Sequence, residues 1–206
     1  YGLSKVIPGL AGLLSVVIFF QWVGSETYGE YSLMFSQFNL LAALGFGWLN
    51  QAILRYKYQD RQEIIFRPTL FYAFSLSTLF IILVSFGAQL VNLIRTVHYS
   101  LSLICILSIA VFNLIKVNYQ ANLLPQQVIK ITSYQAILAL LIPISLMIFF
   151  ARSSSLILLG VTLAFLTVNV GVLSQRSRLL IIFQSVRTTK VYARTLLKKW
   201  FRFSYP

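Results

Sequence analysis

Six apolar stretches divide this chain: Val6 to Trp22, Tyr31 to Leu54, Thr69 to Val91, Val97 to Val117, Ile131 to Phe150 and Ser154 to Leu173. Each is about 17 to 25 residues long, the length a helix rising 1.5 Å per residue needs to cross a hydrocarbon layer of about 30 Å. A membrane β-barrel would alternate apolar and polar residues in segments of about 10, and continuous runs such as Ala136 to Ile142 do not. With 58% hydrophobic residues, 10% charged residues and a mean hydropathy of +0.81, the 206-residue chain has more apolar surface than its own core can bury. Lipid is then the solvent, and the predicted fold class is an all-α integral membrane protein with six transmembrane helices.

The basic residues orient these spans. Lys5 precedes the first; Arg55, Lys57, Arg61 and Arg67 separate the second from the third; Lys116 and Lys130 flank the link from fourth to fifth. A further group, from Arg176 to Arg202, follows the sixth. Fifteen of the seventeen Lys and Arg residues therefore fall at alternate gaps, and Arg95 and Arg152 alone fall in the others. Because positive loops stay on the cytoplasmic side, both termini are predicted to be cytoplasmic. The opposite links, near 22–30, 92–96 and 151–153, are short, so the spans form three hairpins with no external domain. Trp22, Tyr28, Tyr31, Tyr56, Tyr58, Tyr99, Tyr119 and Tyr134 collect near the boundaries, where a ring meets lipid and its polar edge meets water. The net charge of +13 is accounted for by orientation and by anionic head groups, without nucleic acid.

After Leu173 the pattern changes. Arg187, Lys190, Arg194 and Lys198 recur at three and four residues, while Val186, Ala193, Leu197, Trp200 and Phe201 fill another face. This predicts a basic amphipathic helix on the cytoplasmic surface, with a solvated basic tail as the alternative. The division is residues 1–175 for the six-helix lobe, 176–199 for the connector and 200–206 for the start of a further span.

The residue inventory excludes much chemistry. All four acids, Glu26, Glu30, Asp60 and Glu63, lie outside the apolar runs, Cys105 stands alone in one, and His98 sits at a span end. One histidine and one cysteine make a poor metal site, and a lone cysteine forms no disulfide within the chain. No phosphate-binding loop, zinc-protease motif or nucleophile elbow occurs, so neither an enzyme active site nor a cofactor is expected. No cleavable signal precedes the first span. The polar residues inside the spans are more informative, because they are costly in lipid and face other helices or a wet cavity. Asn113, Lys116 and Gln120 form one stripe at i, i+3 and i+7. Lysine and amides there suit a phosphate, but the simpler reading, which comes first, is that Lys116 snorkels to the interface. Asn39 and Asn50, eleven residues apart, share a face, and Gln51 and Arg55 form a second line. Interhelical hydrogen bonding and a cavity wall are the two readings of these side chains.

The run Gly24-Ser25-Glu26-Thr27-Tyr28-Gly29-Glu30-Tyr31, followed by a span closing in Leu44-Gly45-Phe46-Gly47-Trp48-Leu49-Asn50-Gln51-Ala52-Ile53-Leu54-Arg55-Tyr56, resembles the start of O-antigen and polysaccharide flippases of the Wzx type. These belong to the multidrug/oligosaccharidyl-lipid/polysaccharide exporter superfamily, whose members have two six-helix lobes joined by a basic connector. The resemblance implies an N-terminal lobe, cut from a longer product or encoded by a truncated gene. It further implies transport of an undecaprenyl-diphosphate-linked oligosaccharide, with Arg55 and Lys116 neutralising the diphosphate. Asn39, Asn50, Gln51, Asn113 and Gln120 would then line the sugar path, and a second six-helix lobe would be a partner. Two other classes stand beside it, a membrane enzyme of envelope polysaccharide assembly and a non-transporting truncated scaffold. The first of these would need reactive carboxylates or histidines in the membrane, and its usual large external loop has no place in this sequence.

Overall fold

A computed structural model describes residues 3–56, 63–90, 99–150 and 152–175. Its regular structure among those residues is entirely α-helical: α1 Leu3–Tyr56, α2 Glu63–Leu90, α3 Tyr99–Ala121, α4 Pro125–Phe149 and α5 Ser154–Gln175. Each holds a segment long and apolar enough to cross a membrane. The connector 176–199 and the segment 200–206 lie outside the described residues, as do the links around Arg61 and Arg95.

The first two apolar stretches fall within α1 and are not separated by a loop, which corrects the expected link at 22–30. The interruption is one residue, Gly24, with φ 84° and ψ 168°. Such a positive φ strains any residue with a Cβ, so glycine stands where the axis must break. The bend is sharp. Twelve residues of straight helix would set Phe19 and Tyr31 about 18 Å apart, yet their ring centroids lie 6.2 Å apart, edge to face. Polar residues on either side, Ser25 to Thr27 among them, can continue a helix because nothing in their chemistry forbids it; they only read as loop when taken together.

A second difference is at Pro125, which opens α4 at its first helical turn, six residues ahead of the fifth apolar stretch, where its missing N–H has no intrahelical partner to lose. The α3–α4 link shrinks to residues 122–124. There the Leu124 N–H donates to Tyr119 O (3.1 Å) and the Leu123 N–H to Gln120 O (3.0 Å), the paired bonds of a Schellman cap. Leu123 occupies the left-handed position with φ 53°. A leucine there is disfavoured by about 1–2 kcal/mol, so Leu123→Gly is expected to stabilise the folded protein by about 1 kcal/mol, read as a higher midpoint in detergent unfolding.

Side chains are distributed as lipid demands. On α2 the buried line is Thr69, Ala73, Ser77, Ile81 and Ser85, while Leu76, Leu79, Phe80, Leu83 and Phe86 face outward. In lipid, apolar side chains gain little by hiding, so close packing of small residues and buried hydrogen bonds hold helices together. Gly45 of α1 sits against Ile81 of α2, and beside it the Trp48 indole donates to Ser77 Oγ and to Gly45 O, each at 3.0 Å. Gly160 of α5 packs on Pro143 of α4 so closely that an added Cβ would come within 2.7 Å of the proline Cα. α3 lies at the centre, packed against α1, α2, α4 and α5. Its Ser108 carbonyl accepts a 2.9 Å bond from Asn169 Nδ2 of α5, and Phe112 meets Phe165 edge to face at 5.3 Å.

Candidate functional site

The two ends of the bundle can be told apart from the contacts. The Arg152 guanidinium donates to Trp22 O at 3.3 Å and Ser154 Oγ donates to Glu30 Oε2 at 3.1 Å, so the α4–α5 link meets the Gly24 bend. The 122–124 link lies at the far end of α4, whose 25 residues span about 37 Å. Arg55, twenty-five residues beyond Glu30 on α1, reaches that far end by the same reckoning. The structure therefore gathers six of the seven candidate residues at the Pro125 end: Asn50, Gln51 and Arg55 from α1, and Asn113, Lys116 and Gln120 from α3. Asn39 lies mid-helix, about 24 Å from Arg55 along the axis.

On α1 the candidates split across the buried line formed by Phe38, Ala42, Leu49 and Ile53. Asn39 and Asn50 stand about 100° to one side of it, Gln51 and Arg55 about 120° to 160° to the other. Asn39 is exposed and its amide donates to its own helix at Phe35 O (2.8 Å), so its hydrogen bonding is local. Asn50 is half-buried, and its Oδ1 is buried without a partner among the described residues. Gln51 and Arg55 are exposed, and Arg55 already has an interaction partner.

On α3 the geometry is different. Ser102, Cys105 and Ile109 are buried and set the inward direction of the helix. At about 100° per residue, Asn113, Lys116 and Gln120 point the same way. The inward face of α3 thus turns polar over its last two turns. Buried Tyr119 and Val117 flank this arc, about 60° and 100° from Lys116. Packing covers both margins, while the three polar side chains between them are only half-buried. The arc is a polar stripe on the bundle-facing side of α3. No hydrogen bond or ion pair engages Lys116 among the described residues, and the carboxylates whose side chains are described, Glu26 and Glu30, stand at the Gly24 end. A snorkelling lysine would leave from the lipid-facing side of its helix; this one leaves from the face that meets the other helices.

Such a stripe can bind an anion. A lysine ammonium supplies a compact charge and three donors, and flanking amides supply further donors or accept from hydroxyls. Metal chemistry has no support here, since no cluster of three His, Cys, Asp or Glu occurs among the described residues. Sequence reading passed over Asn169, whose side chain is 4% exposed with Oδ1 unpartnered among the described residues. A single amide inside the apolar run from Val161 to Val172 was the available signal. Among the described residues the fold is all-helical, with several helices suited to spanning a membrane. Compared with known family models, curated proteins and solved structures, the chain matches none.

Proposed function

We propose that this chain is a lobe of a lipid-linked oligosaccharide flippase, resembling the Wzx type, that carries its substrate across the cytoplasmic membrane without covalent chemistry. The observation that carries the reading is the inward-facing polar arc of α3, with Lys116 uncompensated at its centre. A charge placed there is costly in a purely structural bundle, and it suits the diphosphate of a lipid-linked glycan. In this reading α1 crosses twice, as two arms meeting at Gly24, so the chain has six spans in three hairpins. The alternating basic links then place the Pro125 end and both termini in the cytoplasm. The polar arc then lies toward the leaflet where the substrate is loaded. A second six-helix lobe completes the cavity, the sugar passes between polar walls, and the lipid tail stays in the bilayer. Anionic head groups hold the basic segment after α5.

Two experiments test this. In a bacterial host deprived of its own flippase, the full-length protein is expected to restore export of the surface glycan; no export from a protein present in the membrane counts against the function. For the six-span count, a Cys105→Ser protein carrying Ser25→Cys should react with an impermeant thiol reagent from outside the cell. The same protein carrying Asn122→Cys in its place should react only after permeabilisation. Labelling of both positions from one side would remove the double crossing of α1.

A further inference from the structure

Arg152 is one of two basic residues on the sparsely charged side of the sequence, and the structure gives it a task there. α1 before the bend is thinly held: of residues 6–23 only Ala11 and Phe19 are buried, while Leu10, Leu13, Leu14, Val17 and Phe20 are more than half exposed. This arm ends at Gly24, a position whose backbone is already non-helical. The last turn of a helix leaves carbonyls without intrahelical donors, and one of these, Trp22 O, accepts from the Arg152 guanidinium across 130 residues of sequence. A cation at a helix C-terminus also meets the negative end of the helix dipole. Two residues on, Ser154 holds Glu30 on the other side of the bend. The α4–α5 link therefore grips both arms of α1, one bond to each.

We propose that Arg152 is a latch: it caps the first arm of α1 from another helix pair and holds it against the bundle, and loss of the cap lets the arm part from the bundle at Gly24. The arm is otherwise held by buried Ala11 and Phe19 and by Ile18 and Val23, which pack on the core, with Phe19 meeting Tyr31 at 6.2 Å and Phe20 meeting Tyr28 at 6.4 Å.

The test measures distance and not transport, so it stands apart from the proposed function. Nitroxide labels are placed on Leu13→Cys and Phe149→Cys, both outward-facing, in a Cys105→Ser background of the full-length protein reconstituted in lipid. The unaltered latch is expected to give one narrow distance distribution. Arg152→Ala should add a longer-distance population, shifting the parted-to-held ratio roughly tenfold, the scale of losing one hydrogen bond to a charged group. Arg152→Lys should keep the narrow distribution, because an ammonium still serves the carbonyl and the dipole. Should the alanine variant fail to accumulate, Arg152→Gln, which removes the charge and shortens the reach to Trp22 O, is read in the same way. A distribution unchanged by loss of the guanidinium would overturn the latch.

Discussion

Replacing Lys116 with alanine is expected to lower translocation of a lipid-linked oligosaccharide by tenfold or more, while leaving the protein as stable as before or slightly more so. The two effects have opposite causes. An ammonium meeting phosphate makes charge-assisted hydrogen bonds worth about 1.5–3 kcal/mol each, and one of these corresponds to roughly a tenfold to hundredfold change in binding. In the unloaded protein the same ammonium is half-buried and unengaged by any described residue, so its removal relieves a desolvation cost. Lys116→Arg separates charge from shape. If charge alone matters it should retain much of the activity, although a planar guanidinium is bulkier between Tyr119 and Val117. A lysine that only snorkels would give an alanine variant with unaltered transport. Transport rate and unfolding midpoint, taken on the same preparations, distinguish the two.

Gly160→Ala should be the most destabilising single-methyl change in the described bundle. Its Cβ would lie 2.7 Å from Pro143 Cα and 2.8 Å from Pro143 N and Cγ. Proline backbone cannot rotate away as a side-chain tip can, so α4 and α5 must separate. Forced overpacking of this kind typically costs about 1–3 kcal/mol, and this helix pair relies on close approach for its attraction. Gly45→Ala meets the Ile81 side chain, which has other rotamers, and should cost less. Gly171 has nothing within 4 Å of an added Cβ, so Gly171→Ala is the control and should be neutral or stabilising. Unfolding midpoints in one detergent should rank the three in that order; a Gly160→Ala protein as stable as Gly171→Ala would contradict the packing.

The spans were legible because length and hydropathy are set by the bilayer and need no tertiary knowledge. The fifth apolar stretch lies within α4 but for its last residue, Phe150, and the sixth within α5, and the stripe of Asn113, Lys116 and Gln120 follows from helical spacing alone. What sequence could not show was the direction of that stripe. Its spacing is identical whether it faces lipid or the bundle, and only the buried run of Ser102, Cys105 and Ile109 decides. Asn39 and Asn50 do share a side of α1, as their spacing implies, but burial differs with depth, and Asn39 satisfies itself on Phe35 O. The bend at Gly24 escaped because a polar segment reads as a loop while helix breaking rests on a single φ. The start of α4 at Pro125, six residues ahead of the fifth apolar stretch, escaped because Gln126 and Gln127 read as part of a polar link while proline suits a helix start. Arg152 counted against the charge bias in the sequence, and its partner, a main-chain carbonyl 130 residues away, leaves no mark there.

The central claim is that the polar arc of α3 carries an anionic lipid head group across the membrane. Its most direct test is full-length protein in vesicles loaded on one leaflet with an undecaprenyl-diphosphate-linked oligosaccharide, with movement read by a sugar-binding probe outside. Wild-type protein should move the lipid well above the rate in protein-free vesicles, and Lys116→Ala should fall back toward that rate. Equal rates for wild type and protein-free vesicles, or for wild type and Lys116→Ala, would contradict it.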